Sequence, residues 1–478
     1  MTAALPALLC LGSGLLLVYL GWRRRAAIAA DIIFVASLSV GFGLGIFSVA
    51  YFLSLLLGVT HLIRVDVAVF ASLIVSALLF RTRATTVAIT VLKDDEPAWL
   101  SRLLTIAFVT ALCAALYAAV MRTLAYPHGD GWDAFSIWNL HARFLFRGGA
   151  HWRDGFNRLL PWSHPDYPLL IPAAVAHFWT YIGRDNPAVP AIIGFLFPFS
   201  TVGLLFSALR TLRGRMPALL GATALLTTPS FIEQGTAQYA DVPLSFFMLA
   251  AIALLCLHDE PMYDQRTPAS SGLVLAGLAA DFAAWTKNEG LLFLCAMMAA
   301  RLWATRARKT SESNHRITIA RNFAPLLVTV IPALLLLAAF KHFIAPPGDL
   351  FSDPSTTLHK LLTPARYWAV IQWYVKGLFR FGGWWLIPAP VLLLGFYFAT
   401  GKKEDAEPQT GTRTSIMALA LTLAGYFAVY LITPYDIYWH LRFSLTRLFL
   451  QLWPSAIFLY FLLVNLRSPE AQTTSPTS

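Results

Sequence analysis

The feature that most limits this chain is a succession of apolar runs, each close to the ~20 residues that a helix needs to cross a hydrocarbon core. They centre on 4 to 22, 31 to 57, 66 to 80, 102 to 121, 188 to 209, 217 to 232, 242 to 257, 272 to 286, 290 to 304, 323 to 341, 382 to 399, 415 to 433 and 445 to 466. Inside a bilayer no water is available to backbone N–H and C=O groups, so such runs must satisfy them internally as helices. The expected fold is therefore an all-α polytopic membrane protein with about 13 transmembrane helices. Composition agrees, because the 478 residues are 57% hydrophobic and 13% charged, against about 25% charge in soluble domains. A large soluble domain, a disordered chain and a secreted disulfide scaffold are excluded. Cys10, Cys113, Cys256 and Cys295 all lie in apolar runs and read as small core residues, not as a redox pair or metal cluster. The net charge of +11 does not point to nucleic acid, since the basic residues form short clusters beside apolar runs, as membrane topology selects.

Those clusters set the orientation. Arg23 to Arg25 follow the first run, Arg81 and Arg83 the third, and Arg210, Arg213 and Arg215 the fifth; Arg301, Arg306, Arg308, Lys309, Lys402, Lys403 and Arg467 follow later ones. All are cytoplasmic together only if a further apolar stretch, 168 to 182, does not cross. That stretch is short and contains Pro168, Pro172 and His177, which suits a membrane-surface or re-entrant helix. The expectation is thirteen crossings with the N-terminus outside and the C-terminus inside. The chain then divides into four N-terminal helices (1–121), an outer loop with interfacial helices (122–187), a transmembrane core (188–341), a second outer loop (342–381), C-terminal helices (382–466) and a cytoplasmic tail (467–478). No internal repeat is visible, which leaves an inverted-repeat transporter without direct support.

Polar residues at membrane depth are costly and usually mark a site, and four outward segments carry them. The first outer loop holds Asp130, Asp133, Asp154 and Asp166 among Arg143, Arg147, Arg153 and Arg158, interleaved with Trp132, Trp138, Trp152 and Trp162. From Asp133 the apolar spacing predicts an amphipathic interfacial helix with Trp anchors. Asp133 reads equally well as the N-cap of that helix. Asp241 opens a later run and has the same two readings, while Lys287 and Glu289 lie in a turn too short for a solvated loop, where they can pair or snorkel. The last segment brings Asp436, His440, Arg442 and Arg447 into the final run, and Arg447, inside apolar sequence, requires an anionic partner.

In this order the segments resemble the GT-C superfamily of polyprenyl-phosphate-dependent glycosyltransferases, in particular the protein O-mannosyltransferase and aminoarabinose transferase-like branch. Members bear an Asp early in a first outer loop, then a His/Pro-Pro segment with an aromatic, then an outward Asp opening a span and a Lys-containing turn. Here these are Asp133, His164-Pro165-Asp166-Tyr167-Pro168, Tyr239-Ala240-Asp241 and Thr286-Lys287-Asn288-Glu289-Gly290, with a weaker echo at Arg442 and Arg447. Four runs precede the loop where the family usually has one, HPDYP replaces a Pro-Pro pair, and the family's C-terminal periplasmic domain has no counterpart in this sequence.

The resemblance implies a GT-C-like fold and sugar transfer from a polyprenyl-phosphate donor to a lipid, protein or polysaccharide acceptor; short loops and compact length favour a bacterial inner membrane, and the basic clusters put the polar segments on its periplasmic face. The chemistry requires a carboxylate at the nucleophile, for which Asp133 is the expected general base, and cations on the leaving phosphate, for which Arg442, Arg447 and Lys287 are candidates. Asp130, His164, Asp166, Tyr167, Asp241, Glu289 and His440 are expected to contact substrate. No cofactor is required, and a divalent metal is compatible with the acidic residues. Membrane lipids are partners and nucleic acid is not. The rival reading is a lipid or lipid-linked-sugar flippase, since many spans with intramembrane charge fit it too.

Overall fold

The computed structural model describes residues 4–22, 29–80, 96–260, 271–307, 312–348, 350, 354–401 and 408–465. The clusters Arg23 to Arg25, Arg81 with Arg83, Arg308 with Lys309, Lys402 with Lys403, and the tail from Arg467 lie outside them. Every element among the described residues is helical. The N-terminal part consists of α1 (Ala4–Gly21), α2 (Ala29–Leu56), α3 (Leu62–Phe80) and α4 (Ala98–Ala125). The loop that follows carries α5 (Asn139–Arg147) and α6 (Leu170–Ile182). A core of α7 (Ala188–Arg213), α8 (Arg215–Leu226), α9 (Pro229–Thr236), α10 (Asp241–His258), α11 (Ser271–Thr286), α12 (Asn288–Arg306) and α13 (Glu312–Phe343) comes next. The chain closes with α14 (Pro354–Leu361), α15 (Pro364–Arg380), α16 (Ala389–Thr400), α17 (Thr410–Ile432) and α18 (Ile437–Leu463).

Among the described residues nine helices are long and apolar enough to cross a membrane: α1, α2, α3, α4, α7, α10, α13, α17 and α18. The other four expected runs depart for identifiable reasons. The run 217 to 232 breaks into α8 and α9, because Pro229 drives the preceding Thr228 out of helical geometry, to φ −95° and ψ 96°. Helix α11 has only 16 residues, α12 carries Glu289, Arg301 and Arg306, and α16 starts late, after Pro388. Helix α6, with 13 residues, reaches about 20 Å, short of the ~30 Å hydrocarbon core.

Helix α10 is apolar on all sides and forms the centre of the bundle, packed by α7, α11, α17 and α18. The small residues of α11 let its neighbours approach closely. The closest approach is at Gly290, where a Cβ would overlap the Ala283 carbonyl. Only glycine permits that contact, so α11 and α12 turn on a single extended residue, Lys287. The tryptophans expected to anchor an interfacial helix divide into two kinds. Trp132 and Trp162 are exposed and meet each other at 6.0 Å, whereas Trp138 and Trp152 are buried in the core. Half of the supposed anchors are therefore packing residues.

Below the loop, His141 of α5 is fully buried, with its ring 5.0 Å from Phe156 and no hydrogen-bond partner for either ring nitrogen among the described residues. Burial, assisted by His164, pushes its pKa down to about 3. This lies below the unfolded value of ~6.5, so the unfolded chain takes up the proton first. The stability contribution is complete above ~6.5 and is lost as the pH falls toward the folded pKa, by at most ~1.4 kcal/mol per pH unit. In detergent, the melting temperature of the wild type is expected to fall more between about pH 7.5 and about pH 5.5 than that of His141→Leu. Equal falls would assign the acid sensitivity to other groups.

Candidate active site

Four segments converge where α10 begins. Asp241 is its first residue and is completely buried, and its carboxylate makes no capping bond to the helix. Instead Oδ1 accepts from Lys287 Nζ at 3.0 Å and Gln451 Nε2 at 2.6 Å, and Oδ2 accepts from Arg447 Nη2 at 2.6 Å and Nε at 2.9 Å. Arg447 lies about 15 Å along α18 from the start of that helix. The site is therefore recessed below the α18 terminus.

The other face of Arg447 meets Asp133, with Nη1 2.7 Å from Oδ2. Asp133 does not cap its helix either; it sits in the turn leading into a π-helical segment, Ala134–Trp138. Such bulges re-aim side chains and recur at functional sites. The Arg447 guanidinium stacks 4.8 Å from the Tyr239 ring. Tyr239 in turn explains Gly131, which has φ +85° and no room for a Cβ beside the Tyr239 hydroxyl. The anionic partner that Arg447 requires is thus two carboxylates from distant segments. Asp133 retains 19% side-chain exposure and Asp241 none, so only the Asp133 side is open.

Lys287 also pairs with Glu289 at 2.8 Å and lies 5.6 Å over the Tyr167 ring. Burial alone would lower its pKa, but Asp241 and Glu289 outweigh that and raise it, so the ammonium stays charged. Tyr167 is held between aromatic neighbours, 5.7 Å from Trp138 and 4.8 Å from His164, both stacked. His164 adopts a left-handed backbone, φ 48°, and burial lowers its pKa against the raising effect of Asp166 and Asp133. Its imidazole is neutral near pH 7. Burial and then Asp133 push the Tyr239 phenol up to about 12. Asp166 accepts from Asn288 Nδ2 at 2.7 Å and lies 3.6 Å from Lys341 Nζ, which also bonds Asn288 Oδ1 at 2.8 Å.

The structure brings Asp133, Asp241, Lys287, Glu289, Arg447, His164 and Tyr167 into one network. Asp166 joins it through Asn288. Three candidates stand apart. Asp130 pairs with Arg122, Arg442 is exposed beside Phe443, and His440 bonds Thr433 Oγ1 at 2.8 Å through Nδ1 and meets the Tyr430 ring edge-on at 5.0 Å. Sequence reasoning missed Gln451 and Lys341. Gln451 was detectable, since it follows Arg447 by four residues on the same helical face within apolar sequence. Lys341 closes an apolar run, where it looks like an ordinary boundary residue. Among the described residues no three His, Cys, Asp or Glu side chains are grouped to hold a metal ion.

Residues 188–344 match the family model of dolichyl-phosphate-mannose-protein mannosyltransferase. That is about a third of the chain. No curated protein and no solved structure matches it. The match marks this helical membrane protein as an enzyme of glycosyltransferase type. It spans Asp241, Lys287, Glu289 and Lys341 of the transferase, while Asp133, His164, Tyr167, Arg447 and Gln451 lie outside it.

Proposed function

We propose that the protein transfers a sugar from a polyprenyl-phosphate-linked donor to an acceptor hydroxyl or amine at the outer membrane face, with inversion at C1. The observation that supports this best is the sharing of Arg447 between Asp133 and Asp241. A guanidinium can engage two phosphate oxygens at once. When the donor phosphate arrives, Arg447 exchanges Asp133 for it, while Asp241 keeps Arg447 oriented and remains paired with Lys287 and hydrogen-bonded by Gln451. The freed Asp133 carboxylate takes the acceptor proton as the acceptor attacks C1. The C1–O bond breaks with its electron pair on the departing polyprenyl phosphate, whose charge Arg447 and Lys287 stabilise. Tyr167 and His164, with buried Trp138 stacked behind Tyr167, supply an aromatic wall for the sugar. Protein hydroxyls, glycolipids and envelope polysaccharides are the acceptor classes that a loop-built site suits.

The test is transfer from a radiolabelled panel of undecaprenyl-phosphate sugars by the protein in membranes, following labelled product and released polyprenyl phosphate together. Both are expected from at least one donor. Movement of labelled lipid between leaflets, with no donor transferred or hydrolysed, would replace this reading with lipid translocation. Orientation is tested separately with Gly214→Cys in a background lacking the four native cysteines. An impermeant maleimide is expected to reach it only from the cytoplasm, and labelling from outside would mean that 168 to 182 crosses.

A further inference from the structure

The second half of α2 lies far from the matched segment in sequence and makes no bond to the ion network, yet it touches α5, α6, the backbone just after Tyr167 and the end of α11 that leads to Lys287. Ser48, fully buried, donates its hydroxyl to the Leu169 carbonyl at 3.2 Å and accepts from Trp285 Nε1 at 3.1 Å. Leu169 is two residues after Tyr167, and Trp285 is two residues before Lys287. One hydroxyl therefore joins the backbone behind the aromatic wall to the helix end that presents the cation. Nearly one turn on, Tyr51 donates to the Leu145 carbonyl of α5 at 3.2 Å and lies 3.1 Å from Thr180 Oγ1 of α6. On either side of them, Phe47 packs on His177 at 5.0 Å, and Phe52 packs on Trp285 at 5.2 Å, Trp152 at 6.2 Å and Phe340 at 6.0 Å. The far end of α6 is tied to α3, where buried Asp66 bonds His177 Nε2 at 2.8 Å and the Tyr181 hydroxyl.

We propose that Ser48 is a positioning residue that sets the spacing between Tyr167 and Lys287, and that the 47–52 segment of α2 is the brace on which the outer loop and the core are aligned. This rests on the transferase reading above for its effect on turnover, but not for its effect on geometry. Ser48 is fully buried, so removing its hydroxyl leaves the Trp285 N–H and the Leu169 carbonyl without the partner each has here. Asp166, Asn288 and Lys341 tie the same loop to α12 and α13, and Ser48 adds the bond that fixes it against the end of α11. A misplacement of about 1 Å at a reacting centre is enough for a large loss of rate.

The experiment uses the full-length protein in nanodiscs, with Ser48→Ala, Ser48→Thr and Trp285→Phe, the last removing the same bond from the other side while keeping most of the ring. Turnover and donor KM are measured with the best donor of the panel. Separately, pulsed EPR reads the distance between nitroxides at Trp162→Cys and native Cys295 in a Cys113→Ser background. Ser48→Ala and Trp285→Phe are expected to lower kcat about tenfold with donor KM within about threefold and to broaden the distance distribution, with Ser48→Thr restoring both. Should either variant fail to fold, the other carries the test. A distribution as narrow as wild type in Ser48→Ala overturns the proposal, as does kcat per folded molecule within about twofold of wild type. If no donor of the panel is turned over and the distribution still broadens, the brace stands and the transferase reading fails.

Discussion

Asp133→Asn is expected to reduce turnover by about 10² to 10⁴-fold, the range for loss of a positioned general base, while donor affinity stays the same or rises. The second half of this expectation distinguishes the mechanism from simple damage. In the resting site the Asp133 carboxylate occupies Nη1 of Arg447 at 2.7 Å, a position that the donor phosphate also requires. An amide has the shape of the carboxylate but no charge, so it holds the guanidinium less firmly and no longer competes. Folding should be less affected than by loss of the Asp241 pair, because the amide keeps the shape of the carboxylate and Arg447 keeps both of its bonds to Asp241. Single-turnover kinetics with donor binding measured in parallel check both halves. Normal turnover in this variant would reject the assignment of the base, and weakened donor binding would reject the exchange at Arg447.

Arg447→Ala has the largest expected effect on binding and on stability together. It removes the two bonds to Asp241 Oδ2, at 2.6 Å and 2.9 Å, and leaves a fully buried carboxylate with Lys287 and Gln451 on its other oxygen. Breaking a buried pair costs about 3 to 5 kcal/mol when the remaining charge is uncompensated. The retained Lys287 brings the expectation to the lower end of that range, visible as a clear fall in melting temperature. Donor affinity should drop by about 10 to 100-fold, since a hydrogen bond to a charged group contributes roughly 1.5 to 3 kcal/mol. Arg447→Lys is expected to recover most of the stability and little of the affinity, because an ammonium cannot bridge phosphate and carboxylate in fixed geometry. Donor affinity within about threefold of wild type in a folded Arg447→Ala protein would remove Arg447 from the phosphate site.

The two variants separate what local sequence reports from what it does not. Asp133, Asp241 and Arg447 were each conspicuous as charges beside or within apolar runs. Their local reading nonetheless allowed a cap for either Asp and a lipid phosphate for the Arg. A capping bond forms within a few residues and is judged from local geometry, and neither Asp makes one. The Arg447 partner is 206 residues away at Asp241, and nothing in the spacing of α18 specifies the depth at which α10 begins beside it. Arg442, five residues earlier, was an equal candidate in sequence; the rotation of α18 leaves it exposed.

Apolar runs of spanning length permit only helices, and isolated charges among them are too costly to be incidental, so a helical membrane protein with a polar site was legible in the residues, while the GT-C reading rested on the resemblance of its ordered motifs. The sequence also located the turn at Lys287 and the loop carrying Asp133. Hydropathy alone overcounted the helices long enough to span, since Pro229 and Pro388 act on the local backbone inside runs whose hydropathy is continuous; the pairing of side chains was settled only by the tertiary structure. It alone brought Gln451 to Asp241 and Ser48 between Leu169 and Trp285. The physical reason is the same in each case. Hydropathy and periodicity record which face of a helix avoids water, whereas pairing between polar groups depends on the depth, rotation and approach of separate helices, which are set by how their surfaces pack.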